Sequence, residues 1–390
     1  MPRRRYDLPR REHVAVFHVI DSAGEALAAR LPRRPMPEPR RILLVNFTHI
    51  GDIVMMTPAL ELLRRVRPEA HIAALVGPWS APLLAADPRL DGLLVYRAPW
   101  FDRGRGLAAR LTSYPRALAD ALGGPLARVL RRNRYDAAIS FRGFPQEHLA
   151  LWSAGIAQRI GHDLHGGGFL LTDVVPFGWR LHPVDRALDL LERSELAHRR
   201  QGEPLWPRVH FSRADEQQAE AMLVGAGAPL VALHVGAGYP SKRWPLERYA
   251  GLAAELHRRH GATAVLVGGG EDLPAVHQAA ELISAPLLVA AGRLSLRATA
   301  ALFARCSLFV GNDSGPAHLA AAVGTPTLTL FSGENESELW QPRGPRCETV
   351  QKRPPCYPCG LHVCPRQHEC MEAITVGEVL TAAERLMRPE

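Results

Sequence analysis

The chain has 390 residues, enough for two ordinary domains, and 47% of them are apolar, which supports sizeable cores. No run of about 18 uncharged apolar residues occurs, which argues against a membrane-spanning helix, and the charged start MPRRRYDLPRREH with its short apolar follower VAVFHVI does not read as a secretory leader, so the expected location is cytoplasmic. The net charge of +8 is uneven: residues 1–41 hold ten arginines against five acids, leaving the body nearly balanced.

The basic arm, residues 1–40, comes first. Residues 13–31 can form an amphipathic helix with Val16, Val19, Ile20, Ala23, Leu27 and Leu31 on one face. Arginines beside such a helix suit an anionic membrane surface or a phosphorylated partner. A solvated arm packed on the body accounts for the same charges. No nucleic-acid-binding motif accompanies them, so nucleic acid is not an expected partner.

From residue 41 a short apolar run, a glycine-bearing corner and a helical pattern alternate. Strands are expected at 41–47, 71–77, 91–96 and 135–141, then at 229–235, 262–269, 286–292, 308–312 and 325–331. Residues 178–215 carry no strand signal and divide the chain into an N-terminal domain, 41–210, and a C-terminal domain, 211–390. The alternation implies an α/β protein: two Rossmann-like, doubly wound domains facing across a cleft, with ligands at the carboxyl ends of the strands.

Four corners carry candidate chemistry. After the first strand come Thr48, His49, Gly51 and Asp52; Gly51 lets the backbone approach a ligand. Asp52 opens a helix, either as a plain cap or as a general base. In HVGAGYPSKRWPLERY, Gly236 and Gly238 precede Lys242, Arg243 and Trp244, a pattern suited to a diphosphate but also to a solvated Lys-Arg pair. It matches neither the dinucleotide fingerprint nor the Walker loop. After 262–269 stand Glu271 and Asp272; either acid can hold a ribose hydroxyl, and Asp272 better fits a helix cap. In GNDSGPAHLAAAVGTP, Ser314 and Gly315 at a helix N-terminus are expected to face an anion, with His318 as a further donor. Asp313 would repel a phosphate and is expected to order the loop through backbone N–H groups.

Five of the six cysteines lie between 347 and 370. Cys356, Cys359, Cys364 and Cys370 stand close enough in sequence to suggest a structural zinc or iron site, with His362 and His368 as alternative ligands; reduced packing thiols or reversible disulfides fit the same spacing.

Taken together, ILLVNFTHIGDIVMMTPAL, SKRWPLERYAGLAAEL and GNDSGPAHLAAAVGTPTLTLF resemble glycosyltransferase family 9, the heptosyltransferases of lipopolysaccharide core assembly, from about Arg41 to Leu386. The resemblance implies a GT-B fold, an N-terminal acceptor domain and a C-terminal domain for an ADP-sugar, usually ADP-heptose. It implies inverting transfer with no catalytic metal to a lipopolysaccharide core or other lipid-linked acceptor. By the same resemblance Asp52 is the base and Lys242 meets the donor phosphates. Glu271 lies near the nucleoside, and Asp313, Ser314, Gly315 and His318 form the pyrophosphate corner. One departure is that many members carry a lysine after the first strand, where this chain has Asn46 and Phe47. Alternatives are a family 9 transferase with another nucleotide sugar or a protein acceptor, and a non-catalytic sugar-nucleotide-binding protein.

Overall fold

The computed structural model describes residues 21, 22, 24, 26, 38–101, 116–200 and 202–388. Most of the basic arm, including its expected helix over 13–31, lies outside them. Of the arm, Asp21 is buried and accepts a hydrogen bond from Gly167 N–H at 2.8 Å. Among the described residues no helix is long and apolar enough to cross a membrane. The chain divides into two compact units, Met1–Leu205 and Trp206–Glu390.

The first unit runs β1 (Arg41–Asn46), α1 (Ile50–Val66), β2 (His71–Val76), β3 (Gly92–Val95), α2 (Pro125–Asn133), β4 (Ala137–Ser140), α3 (Pro145–Ser153), β5 (Gln158–Gly161), β6 (Asp173–Val174) and α4 (Pro183–Arg193). Its sheet has the order β3-β2-β1-β4-β5-β6, all parallel. Burial on both faces explains why β1, β2 and β4 read as continuous apolar runs rather than alternating ones. Leu43, Val45, Phe47, Ala73, Leu75 and Ala138 form one core with Leu126, Leu130 and Leu151 of the covering helices. Because the chain winds outward in both directions from the β1/β4 pair, that pair is the topological switch point, where the carboxyl ends open a crevice. Val45 pairs with Ser140, so the segments after Asn46 and Phe141 leave the sheet side by side.

The second unit repeats the plan. Its elements are α5 (Arg213–Met222), β7 (Leu230–His234), α6 (Leu246–His260), β8 (Thr263–Leu266), α7 (Leu273–Leu282), β9 (Leu287–Val289), α8 (Leu296–Ala304), β10 (Leu308–Asn312), α9 (Gly315–Ala322), β11 (Thr327–Phe331), β12 (Cys347–Gln351) and α10 (Val376–Met387). The sheet order is β12-β11-β10-β7-β8-β9, again all parallel. Here β7 and β10 form the switch point, with Gly311 paired to His234. Cys306 is buried in this unit.

Candidate active site

In the first unit Asp52 sits in the first turn of α1. Its carboxylate accepts His49 N–H at 3.2 Å and lies 3.4 Å from His49 Nδ1, so the plain capping role is present. The side chain is still 16% exposed, which leaves an approach to it. Burial works against its charge, but the hydrogen bond from His49 and the field of Arg142 outweigh it and hold the carboxyl well below the usual range. Thr48 is buried, and its N–H and hydroxyl both donate to Asn46 Oδ1, at 3.1 and 2.5 Å. The Trp79 indole donates to Thr48 O at 2.8 Å. Phe47 packs edge-on against Tyr96 and Trp100. Asn46 and Phe47 therefore shape the turn, Gly51 is buried within α1, and the carboxyl end of β1 supplies no cation.

The cations come from later elements. Arg142 follows β4 directly, and Arg186 lies on α4 with its guanidinium 4.5 Å above the Phe177 ring. Gly143 completes the β4 turn at φ +69°, where a Cβ would stand 2.1 Å from the His162 carbonyl oxygen, so only glycine fits. Burial first, then repulsion from Arg142, pulls the Arg186 guanidinium down to about 10. Burial pushes the Glu147 carboxyl up to about 7. It pushes His148 down to about 3 and His162 to about 4, so both imidazoles are neutral.

In the second unit the polar end of β10 organises the corner. Asn312 is fully buried. Its amide donates to Val235 O and Gly236 O at 3.1 and 2.9 Å, while its oxygen accepts from Trp244 N–H at 3.0 Å and the Tyr249 hydroxyl at 3.1 Å. Trp244, buried, is pinned at its far end by Nε1–H donating to Ile374 O at 3.0 Å. This frame fixes the path of the Lys242–Trp244 segment.

Lys242 then reaches across to β10. Its ammonium donates to Asp313 Oδ2 at 2.7 Å and lies 3.1 Å from Glu334 Oε2. Burial works against its charge, but the two carboxylates outweigh it and hold the ammonium above its usual range. Among the described residues Asp313 otherwise accepts from Asn335 Nδ2, at 3.3 Å, and from no backbone N–H. The expectation that Asp313 orders its loop through backbone N–H groups is therefore corrected: the buried, neutral Asn312 orders the loop, and Asp313 holds Lys242.

Ser314 Oγ lies 3.1 Å from His234 Nδ1 and 3.0 Å from Asn312 O. The other ring nitrogen of His234 is 3.4 Å from Asp272 Oδ2. Burial works against the Asp272 charge, yet His234 and the Gly269 N–H, at 2.9 Å, hold its carboxyl below the usual range. Asp272 presses so closely on the β7 corner that a Cβ on Gly236 would stand 1.8 Å from its Oδ1. Glu271, the acid expected at the nucleoside, is exposed on a single 3-10 turn, and it is Asp272 that turns toward β7. Gly315 opens α9, followed by Pro316, which has no N–H, and by Ala317, whose N–H donates to Ser314 O at 3.2 Å; His318 is buried one turn later.

Sequence reasoning gave no role to His234, Asn312, Glu334 or Arg142. A polar residue ending an otherwise apolar buried strand was the available signal for the first two.

Cys356, Cys359, Cys364 and Cys370 are free thiols that line one cavity of about 20 Å³ with Ser241 and Glu334. Among the described residues no three His, Cys, Asp or Glu side chains are already arranged to hold an ion. The loop bearing these thiols is bonded to the Lys242 corner. Ser241 N–H donates to His362 O at 3.3 Å, Gly360 N–H donates to Glu334 O at 2.9 Å, and Tyr239 stacks on His362 at 3.7 Å.

Comparison with known proteins places this architecture. Residues 124–369 match the sequence profile of glycosyltransferase family 9 (heptosyltransferase). Lipopolysaccharide heptosyltransferase 2 of Escherichia coli K12 is 27% identical over 326 residues, which is 80% of this chain and 88% of that protein. A family 9 glycosyl transferase from Veillonella parvula superimposes with a TM-score of 0.73 at 22% identity, covering 89% of this chain and 97% of that one. The E. coli ADP-heptose lps heptosyltransferase II gives 0.70 at 23% identity, covering 89% and 98%. Two six-stranded parallel sheets wound from matching switch points agree with the GT-B fold of these neighbours. The chain belongs to glycosyltransferase family 9 and is a glycosyltransferase.

Proposed function

We propose that the protein transfers a heptose from ADP-heptose to a lipopolysaccharide core acceptor, with Asp52 as base and the second unit as donor site. The observation that carries this reading is the convergence at one switch point of the Lys242 ammonium, the Ser314 hydroxyl and the N-terminus of α9. Relatives named for lipopolysaccharide heptosyl transfer supply the sugar and the acceptor class.

The chemistry follows from the groups present. An acceptor hydroxyl attacks the anomeric carbon of the donor, the bond to the diphosphate oxygen breaks, and ADP leaves with the electron pair. The hydroxyl proton passes to Asp52. Because His49 and Arg142 stabilise the Asp52 carboxylate, it is a weak base, ionised at every working pH, and takes the proton only as the new bond nears completion. Lys242 and the N–H groups around Ser314 and Gly315 face the charge that grows on the leaving diphosphate. To do so Lys242 exchanges part of its contact with Asp313 and Glu334 for phosphate. Those carboxylates then become acceptors for sugar hydroxyls.

Cys356, Cys359, Cys364 and Cys370 line one cavity and are donors of the kind structural zinc or iron takes, and an ion would have to draw them together to be held. Such an ion would crosslink the loop and perform no step of the transfer. Metal analysis of protein purified without chelators tests this, and the absence of stoichiometric metal rejects it. An acceptor of that class would bring the enzyme to the cytoplasmic face of the inner membrane.

A thermal-shift screen of nucleotide sugars tests the donor. ADP-heptose at a hundredfold excess over its dissociation constant stabilises by about 2.7 kcal/mol. Selective stabilisation by UDP- or GDP-sugars would overturn the assignment.

A further inference from the structure

Resting on the reading of the second unit as donor site, we infer that His234 is a positioning residue that takes up a proton when a diphosphate binds and so turns the Ser314 hydroxyl into a donor to phosphate. Asp272, His234 and Ser314 form a chain. Asp272 Oδ2 lies 3.4 Å from His234 Nε2, and His234 Nδ1 lies 3.1 Å from Ser314 Oγ. Two glycines make room for Asp272 to reach the ring: a Cβ on Gly236 would stand 1.8 Å from its Oδ1, and one on Gly268 would stand 2.8 Å from its Cβ. The His234 side chain is 3% exposed, so its ring nitrogens depend on these partners rather than on water.

The hydrogens along the chain are fixed by its acidic end. The Asp272 carboxyl is held below its usual range, so it is ionised and only accepts. Nε2 must then carry a hydrogen, and in a neutral ring Nδ1 is a bare acceptor. Ser314 has one hydroxyl hydrogen and two acceptors inside the protein, Nδ1 and Asn312 O at 3.0 Å. Whichever it bonds, only lone pairs are left for a ligand. An ionised diphosphate also offers only lone pairs, so a neutral chain meets it with the wrong polarity.

One proton from solvent reverses that polarity. An imidazolium donates from both nitrogens, Nε2–H to Asp272 and Nδ1–H to Ser314 Oγ. The Ser314 hydrogen then turns to a phosphate oxygen, and the new charge lies between a carboxylate and the diphosphate. Swinging the hydroxyl alone would instead take from Nδ1 its one donor among the described residues and leave a buried nitrogen unpaired. The other groups around the ring are Arg243, which acts on Asp272, and the Tyr249 hydroxyl of α6, which donates to His234 O at 3.1 Å. Beside His234, β8 brings TAVL and β10 brings Gly311. His318 lies on α9, and Lys242, Asp313 and Glu334 make up the rest of the corner's charge.

The test measures ADP binding to the full chain by calorimetry at about pH 7.5, where a phosphate group has lost its last proton, pKa about 6. Repeating it in buffers of different ionisation enthalpy gives the protons taken up per ADP. We expect about half a proton to one proton, and none with adenosine, which lacks the diphosphate. ADP affinity should accordingly fall as pH rises from about 7 to about 8.5. His234→Asn should bind ADP roughly tenfold more weakly, with no uptake and a flat pH profile. Ser314→Ala should lose the uptake with a smaller loss of affinity. A merely structural role for His234 weakens the variant but gives the wild type no uptake. ADP binding without uptake, or uptake that survives in folded His234→Asn or Ser314→Ala, overturns the proposal and leaves the donor reading standing. No ADP binding by the wild type overturns the donor reading, and this inference with it.

Discussion

The two switch-point corners have the same topology and opposite electrostatics. At β7/β10 the ammonium of Lys242 is paired within the protein, between Asp313 and Glu334, and both ends of the Asn312 amide are hydrogen-bonded. At β1/β4 arginines stand over a single ionised carboxylate, and several buried polar atoms have no partner among the described residues. The first kind of corner has its cation already paired and can hold its shape, although Ser241 Oγ and Asn335 Oδ1 beside it have no partner among the described residues. The second has its anion held ionised, against burial, by its neighbours.

Four substitutions would break or sharpen that contrast. Asp52→Ala should have the largest effect, cutting transfer by ~10²–10⁴-fold, the usual contribution of a general base, while leaving ADP affinity intact by calorimetry. Near-normal turnover would remove Asp52 from the chemistry. Lys242→Ala should weaken ADP binding roughly tenfold to a hundredfold. It should also cost about 3 kcal/mol of stability, because two carboxylates are left facing each other; unchanged melting would show that the corner is not internally balanced.

Glu147→Gln tests the other corner. Burial raises the folded pKa of Glu147 to about 7, so it stabilises relative to the unfolded chain only while protonated. That contribution is full below the ordinary carboxyl pKa and is lost as pH rises toward about 7. Relative to Glu147→Gln, the wild type should therefore lose about 3 kcal/mol between pH ~4.5 and ~7, read by urea unfolding. A constant difference across that range would mean Glu147 is ionised throughout. Ser314→Ala should be mildest, costing donor binding about 1 kcal/mol.

Much of the fold was legible in the sequence because parallel strands buried on both faces must be continuously apolar, and all nine expected strands are present. The strands without a signal, β5, β6 and β12, fail that condition. QRIG carries two polar residues, β6 is two residues long, and CETVQ is a half-buried edge. The candidate corners were legible for the same reason, since glycines and charges stand out after apolar runs. What each residue touches was not. Asp313 pairs with a lysine 71 positions away, and Glu334 joins them from the segment after β11. Nothing local in DSGP or SGEN announces a shared ammonium. Arg142 looked like any loop arginine until β4 was placed beside β1.

Asn312 has one more consequence. The members of its frame are an amide, carbonyl oxygens, an indole-bearing backbone N–H and a phenol that burial pushes far above the usual tyrosine range. None of them changes charge in any solution the protein would meet. The proposed seat for the nucleotide is thus built from parts indifferent to acidity, with the ionisable groups hung on it rather than woven into it. In the other unit the equivalent turn is tied by the Asp52 carboxylate, which accepts the His49 N–H, so there an ionisable group is itself part of the frame.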